Sequence, residues 1–191
     1  MNVYDVIVSR RTIRRFLQKP VDLEIIKKCV NAGRLAPSAA NLQPLEYCIV
    51  IDKQLCSSLF EALHWAAYIQ LKWIPKEDER PTAYIVVLVR DTQNPYYERD
   101  VGFATENIVL AAEAEGLGSC ILCNIERMKI QDICKIPTTL AVDSVIALGY
   151  KAETSLVEDM KDSVKYWRDE HDVMHVPKRK LDDIIHINKF S

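Results

Sequence analysis

The stretch from Tyr97 to Glu115 constrains the fold more than any other part of the sequence, because eleven of its nineteen residues are apolar or small. Apolar residues that recur around a whole helix predict a helix that is buried on most sides. Gly116 follows directly and predicts the helix end, since glycine adopts the left-handed conformation of a C-cap without strain. We therefore predict a central helix, the most buried of the chain. Among its polar positions, Asp100, Thr105, Glu106 and Asn107 need partners if they are buried.

A continuous apolar run at Ala83–Val89 predicts a strand that is buried on both faces of a sheet. Shorter runs predict strands at Glu46–Ile51, Ser119–Asn124 and Asp143–Leu148, after which Gly149–Lys151 leaves the sheet. Further helices are predicted at 2–9, at 22–35 with Asp22 as N-cap, at 53–67 and at 126–136. The segments 68–82 and 154–172 lack a regular pattern, and we expect them to shape a pocket.

The composition bounds the class of protein. The chain has 191 residues, enough for one domain with a substantial core. Its formal net charge is -2, so no general attraction to nucleic acid or to an anionic membrane is expected. The sequence has no apolar run of about 18 residues that would predict a membrane span, and its first residues lack a signal-peptide pattern. We expect a cytoplasmic protein.

Arginine is concentrated in one short segment, where four of the six residues from Arg10 to Arg15 are arginine and Thr12 lies between them. Guanidinium groups bind phosphate oxygens through paired hydrogen bonds, and a hydroxyl adds a further donor. The segment predicts a phosphate site of a ligand or cofactor. A solvated basic turn before Pro20 is the alternative interpretation.

A loop rich in hydrogen-bonding groups follows the second predicted helix, at Ala36–Pro44. Ser38, Asn41 and Gln43 can address the edge of a planar polar ring, although a plain connection between helix and strand is the alternative. Near the other end of the chain, Pro177–Lys180 forms a second basic cluster. The residues after it are too apolar for a free tail, so we expect a C-terminal arm at about 181–191 that is buried against a partner subunit.

The cysteines and histidines give weaker indications of a redox or metal site. Cys120 and Cys123 form a C-x-x-C pattern, but residues three apart on a strand point to opposite faces, so we interpret them as structural. His171 and His175 are spaced as a metal pair could be, without a third ligand at a recognisable spacing. We predict no metal site.

Five stretches in this order resemble the FMN-dependent nitroreductase family: SRRTIRRF, APSAANLQP, DVGFATENIVLAAEAEGLGSC, ALGYKAE and VPKRKL. The resemblance runs from about Val3 to Ile185. It implies an α+β fold in which a mixed, mostly antiparallel sheet is flanked by helices, with residues 1–191 as a single FMN-binding domain. It also implies a homodimer with FMN at the interface and a domain-swapped C-terminal arm.

The resemblance also implies site residues. A first segment, holding the phosphate and ribityl chain of FMN, corresponds to Arg10, Arg11, Thr12 and Arg14. A second segment, which the partner chain contributes, corresponds to Pro37, Ser38, Asn41 and Gln43. A turn near the flavin corresponds to Leu117 and Gly118, and a third, phosphate-binding segment corresponds to Lys178, Arg179 and Lys180.

The implied activity is oxidoreduction by a ping-pong mechanism. NADH or NADPH reduces FMN, and an electron-poor small molecule such as a nitroaromatic or a quinone is then reduced. The flavin carries this chemistry, so no catalytic side chain is assigned. Leu45 departs from the aromatic residue that the family often has after Gln-Pro. Family members differ most in the segments Tyr68–Pro81 and Thr154–His175, which shape the pocket, so the acceptor stays open.

Other functions remain open on the sequence. Variants of the same chemistry include enone reduction and reductive dehalogenation. A flavin-binding or redox-sensing module without nicotinamide-dependent turnover is a further alternative. A nucleic-acid module that uses the arginines is disfavoured by the net charge of -2.

Overall fold

The structure is a computed structural model that describes residues 2–66, 68 and 73–190. The α-helices are α1 (Val3–Ser9), α2 (Leu23–Arg34), α3 (Lys53–Phe60), α4 (Tyr97–Ala114) and α5 (Arg127–Cys134). The strands are β1 (Phe16–Leu17), β2 (Leu45–Val50), β3 (Ala83–Val89), β4 (Leu117–Leu122), β5 (Ala141–Lys151), β6 (Ser155–Asp159), β7 (Trp167–Arg168) and β8 (Met174–Lys178). None of the described helices is long and apolar enough to cross a membrane. The cytoplasmic location stays a prediction.

The main sheet is antiparallel and is organised around the long strand β5. On one side β5 pairs with β3, which in turn pairs with β2, the edge strand. On the other side β5 pairs with β4, and its last residues also pair with β1. All seven residues of β3 are buried, as its apolar run predicts. The predicted α+β fold, a mostly antiparallel sheet flanked by helices, is confirmed.

Two hydrophobic clusters lie on the two faces of this sheet. The residues of β3 alternate between them, with Tyr84 and Val86 in the first cluster and Ile85 and Val87 in the second. Helices α3 and α5 cover the first cluster, whereas α2 and α4 cover the second. Gly33 of α2 lets the helices of the second layer approach closely.

Local signals set the helix ends that the sequence predicts. Asp22 caps α2 by accepting a hydrogen bond of 2.8 Å from the Glu24 backbone N–H. Gly116 follows α4 with a φ of 77°, the left-handed conformation that favours glycine. The predicted burial of α4 is right for one side only. Phe103 is 51% exposed, because within the described chain the sheet and α2 cover only one side of the helix.

Three predictions of secondary structure are wrong. The helix predicted at 53–67 ends at Phe60, because the chain then turns to run beside 124–126, where His64 N–H donates to the Asn124 carbonyl. Residues Gly149–Lys151 do not leave the sheet but form the end of β5, against β4 and β1. The segment 154–172 is not irregular throughout, because β6 and β7 lie within it. Together with β8 they form a second, three-stranded sheet. Ala67, the end of the predicted helix, lies outside the described residues.

Candidate functional site

The first arginine segment lies directly against the start of β4. Thr12 forms a parallel bridge with Ser119, and the Ile13 backbone N–H donates to the Ser119 carbonyl at 2.9 Å. A Cβ atom on Gly118 would lie 2.8 Å from the Ile13 Cβ, so only glycine admits this approach. The structure therefore brings Arg11 and Thr12 next to Leu117 and Gly118, which the resemblance places at one flavin site.

The guanidinium groups of this segment differ in their partners, and Arg11 is the one at its start that has no acidic partner among the described residues. Arg10 lies 3.6 Å from Glu106 of α4, a carboxylate that is half exposed. Arg11 donates to the carbonyl oxygens of Arg10 and Val8 instead of to an acid. Burial lowers the pKa of Arg11, and the adjacent Arg10 cation lowers it further, while Glu113 raises it. An anion bound here would relieve this excess of positive charge.

A buried carboxylate fixes the backbone of the next two arginines. The Glu153 side chain is 1% exposed and accepts hydrogen bonds from the backbone N–H groups of Arg14 and Arg15. It also pairs with the guanidinium of Arg168, which enters from β7. The Arg14 guanidinium lies over the ring of Tyr166, 4.6 Å from its centre. Residues in and next to the second sheet thus hold Arg14 and Arg15 in place.

The loop between α2 and β2 holds an unusual backbone. Ala40, Asn41 and Gln43 have φ values of 49°, 54° and 49°, which non-glycine residues rarely adopt. The Ser38 hydroxyl stabilises the turn by accepting a hydrogen bond of 3.1 Å from the Gln43 backbone N–H. Such strain persists where surrounding contacts impose it, and it is concentrated at ligand sites.

A cavity of about 270 Å³ separates this loop from α4 and is lined by Pro37, Ser38, Gln43 and Asp100, among others. The Asp100 side chain accepts a hydrogen bond of 3.0 Å from the Ala39 backbone N–H through Oδ1. Its Oδ2 atom is buried and has no partner among the described residues. The lining of the cavity therefore includes a carboxylate that has one oxygen with unused hydrogen-bond acceptor capacity.

The second basic cluster does not join the first in this structure. Lys178 ends β8 in register with Asp159 of β6, and the Arg179 side chain donates to the Asp183 carbonyl at 2.8 Å. Between this cluster, which includes Lys180, and the segment Arg10–Arg15, the described residues form no hydrogen bond or ion pair.

Two surfaces next to these segments are apolar and open. On α4, Gly102 and Phe103 lie between Asp100 and Glu106 and are exposed. In the C-terminal arm, Ile187 and Phe190 are 79% and 90% exposed.

The remaining candidates from the sequence are placed as follows. Cys120 is buried in β4, whereas Cys123 follows the strand and is exposed, so the two thiols face different surroundings.

His175 Nδ1 lies 3.0 Å from a Glu158 oxygen and its Nε2 lies 3.2 Å from an Asp169 oxygen. In the part of the chain that the structure describes, no group of three His, Cys, Asp or Glu side chains is arranged to hold a metal ion.

Sequence reasoning missed Glu153, Arg168 and Asp100 as parts of the candidate site. The first two lie outside any periodic pattern, and Glu153 binds backbone groups 138 and 139 residues earlier in the sequence. Asp100 did carry a signal, because a carboxylate in an otherwise apolar helix predicts a buried partner.

A sequence model of the nitroreductase family matches residues 7–150. A protein of Archaeoglobus fulgidus, provisionally named NADH dehydrogenase/NAD(P)H nitroreductase, is 34% identical over 152 residues, which cover 75% of this chain and 82% of that protein. An iodotyrosine deiodinase of Thermotoga neapolitana is 24% identical over 163 residues, covering 78% of this chain and 88% of that protein. The solved structure of an FMN-dependent nitroreductase from Clostridium difficile R20291 matches with a TM-score of 0.69 at 25% identity, covering 97% of this chain and 98% of that one.

Proposed function

The chain belongs to the nitroreductase family, and from this we propose that it is an FMN-dependent oxidoreductase. In this proposal NADH or NADPH donates hydride, and an electron-poor small molecule such as a nitroaromatic or a quinone accepts it in a second half-reaction. The observation that carries the proposal is the segment Arg10–Thr12, in which Arg11 donates to backbone carbonyl oxygens instead of to an acid and which lies directly beside Leu117 and Gly118.

The phosphate of FMN fits the first segment by charge. Arg10 and Arg11 are adjacent cations, and the lowered pKa of Arg11 reflects burial and repulsion that a dianionic phosphate would offset. Arg14 can rotate from the ring of Tyr166 to add a third guanidinium, and Thr12 adds a hydroxyl donor. When bound, FMN supplies the hydride chemistry, and these residues bind and orient it.

The ring and ribityl side of FMN fits the cavity beside the strained loop. The unpartnered Asp100 Oδ2 would repel a phosphate but accepts a hydrogen bond from a hydroxyl or a ring N–H group. Ser38 and Gln43 line the same cavity, and Asn41 lies in the strained turn between them.

A homodimer completes this arrangement. Asp100 contacts the 37–43 loop, and Glu106 contacts the arginine segment of the same chain. The two residues are six positions apart on α4, which corresponds to about 9 Å along the helix axis. A second copy packed on the exposed Gly102 and Phe103 would bring its 37–43 loop towards the arginines of the first. The open apolar arm at 181–191 would cover the partner, with Lys178, Arg179 and Lys180 carried to the phosphate as that arm docks. Residues 1–191 would then act as one FMN-binding domain.

Reductive dehalogenation is a second candidate, favoured by the relative named iodotyrosine deiodinase. It uses the same cofactor site but a different acceptor. Turnover of 3-iodotyrosine without turnover of nitroaromatics or quinones would favour it. Retained FMN that neither NADH nor NADPH reduces would favour a flavin-binding or redox-sensing module.

The experiment that tests the cofactor site is a titration of apoprotein with FMN, followed by flavin fluorescence. The variant Arg10→Ala/Arg14→Ala loses charge-assisted hydrogen bonds worth roughly 1.5–3 kcal/mol each, so its Kd should rise about 100-fold or more. The matched control Lys27→Ala/Lys129→Ala removes the same charge from exposed pairs with Glu24 and Glu126. Equal FMN affinity in the two double variants would overturn the assignment of the first segment.

A further inference from the structure

A second cavity, of about 350 Å³, lies where the start of β3 meets α3, on the face of the sheet opposite α4. Its lining includes Cys56 and Phe60 of α3, Tyr84 of β3 and Arg80, which precedes that strand. None of the residues that line it belongs to the candidate flavin site. A volume of this size suits a small organic ligand.

The floor of this cavity is apolar except for one group. Phe60 is 3% exposed and Tyr84 is fully buried. The phenol oxygen of Tyr84 has no hydrogen-bond partner among the described residues. Burial raises the pKa of Tyr84, so the phenol keeps its proton and can donate it to an acceptor. A buried donor without an acceptor destabilises the protein, and a ligand that brings an acceptor would remove this cost.

Arg80 adds a cationic donor to the same cavity. Its guanidinium carbon lies 4.0 Å from the centre of the Phe60 ring. A terminal nitrogen, Nη1, lies 3.4 Å from a carboxylate oxygen of Glu61. The Nε atom is buried and has no hydrogen-bond partner among the described residues. Glu61 therefore leaves the Nε–H group available to a second acceptor.

Hydrogen bonds to the backbone fix the wall that carries these donors. The Gln18 side chain donates to the Arg80 carbonyl at 2.9 Å, and the Thr82 hydroxyl donates to the Lys19 carbonyl at 3.1 Å. Tyr84 lies in β3, which is paired with a strand on each side. Both donors therefore belong to a segment that is held in place on two sides.

The charges around the cavity favour an anion. Arg80 and Lys53 are cationic, and Glu77 is the single acidic residue among the described residues that line it. Lys53 and Glu77 are exposed, so solvent screens their charges, whereas the two donors on the floor are not screened in this way. The two oxygens of a carboxylate match these two donors, and the apolar floor suits a compact hydrophobic body.

We propose that this cavity is a second ligand site, separate from the flavin, and that it binds a small hydrophobic monocarboxylate. One carboxylate oxygen accepts a hydrogen bond from the Tyr84 phenol, and the other accepts from the Arg80 Nε–H group. The apolar body of the ligand packs against the rest of the lining. This site does not depend on the proposed flavin chemistry, because it shares no residue with the candidate flavin site.

The test is a titration of the purified full-length protein with benzoate, followed by ligand-observed NMR. Benzamide is the matched probe, since it has a similar shape and no charge. We expect saturable binding of benzoate with a Kd of about 1 mM or below, and binding of benzamide that is about tenfold weaker or more. No saturable binding of benzoate, or equal affinity for the two probes, would overturn the proposal.

Tyr84→Phe removes the phenol oxygen and leaves the ring in place. The Kd for benzoate should rise about tenfold, because the carboxylate loses one hydrogen bond. The urea midpoint of unfolding should not fall, since the hydroxyl has no partner to lose. Unchanged affinity for benzoate would overturn the proposal, and a lower midpoint would contradict the free donor on which it rests.

The controls use a second arginine–tyrosine pair. Arg80→Gln should weaken benzoate binding at least as much as Tyr84→Phe does. Tyr96→Phe and Arg99→Gln make the same two changes in an exposed pair outside the cavity, whose guanidinium carbon lies 5.7 Å from the ring centre. Both controls should bind benzoate with unchanged affinity, and weaker binding in them would contradict the assignment. If benzoate shifts the flavin absorption bands equally in Tyr84→Phe and in the unmutated protein, it binds at the flavin and the proposal is wrong.

Discussion

Replacing Gly118 with alanine tests the contact that brings the first arginine segment to β4. The added Cβ would lie 2.8 Å from the Ile13 Cβ and 2.9 Å from each of its Cγ1 and Cγ2 atoms, closer than carbon atoms approach. Ile13 is 2% exposed and its backbone is bonded to Ser119, so neither side of the contact can move freely. The chain must separate Arg10–Ile13 from β4 to admit the methyl group.

The cost follows from this geometry. Overpacking a rigid, buried contact by one methyl group destabilises a protein by about 1–3 kcal/mol. For a chain of this size that is a fall in melting temperature of roughly 2–12 °C. FMN affinity should fall as well, because Arg10, Arg11 and Thr12 shift with Ile13.

Urea denaturation in a double-mutant cycle with Ile13 distinguishes this clash from a general effect. Valine retains all three clashing atoms, so Ile13→Val should give no coupling with Gly118→Ala. Ile13→Ala removes Cγ1 and Cγ2, so the double variant should be more stable than the sum of the single changes by about 1 kcal/mol. An unchanged melting temperature for Gly118→Ala, or equal coupling in both cycles, would refute the reasoning.

Two further predictions concern the second sheet. Glu153→Gln removes the charge that pairs with Arg168 and places an amide against backbone N–H donors, so the free energy of unfolding should fall by about 3 kcal/mol. If the variant unfolds at the same urea concentration as the unmutated protein, Glu153 does not have this structural role. Hydrogen bonds to Asp169 and Glu158 raise the pKa of His175 in the folded protein. The protonated His175 therefore stabilises the fold fully below the pKa of about 6.5 that it has in the unfolded chain, and this stabilisation is lost as the pH rises through its pKa in the folded protein. Melting temperatures from pH 6 to 9 should therefore fall less steeply in His175→Gln, and parallel curves for the two proteins would show that this cluster does not stabilise the fold.

The sequence predicts those parts of the fold that depend on local signals. The apolar run of β3 and the glycine after α4 are read from neighbouring residues, and both agree with the structure. The third prediction of this kind, Asp22 as a cap, depends only on the residues just after it. The family resemblance places Arg11 and Thr12 at the same site as Gly118. No local sequence pattern shows that the side chain of Ile13 leaves no room for a Cβ atom at position 118.

Contacts between residues that are far apart in the sequence determine the features of the fold that the sequence does not predict. Strands β6 and β7 are short and charged, and they form because β8 pairs with both. Helix α3 is shorter than its apolar spacing predicts, because His64 pairs with Asn124 from a later part of the chain. The buried charge of Glu153 depends on Arg168 and on backbone groups 138 and 139 residues earlier, which periodicity cannot detect. The proposed placement of the 37–43 loop against the arginine segment of a second chain depends on contacts between chains, which the pattern of one sequence does not encode.

The most direct test of the proposed function is the visible absorption spectrum of the purified protein, recorded without oxygen before and after NADH or NADPH is added. The proposal predicts flavin absorption bands that bleach with either nicotinamide and return when a quinone or nitroaromatic is added. Flavin bands that persist would contradict nicotinamide-dependent turnover. A colourless protein that does not take up FMN would contradict the cofactor site itself.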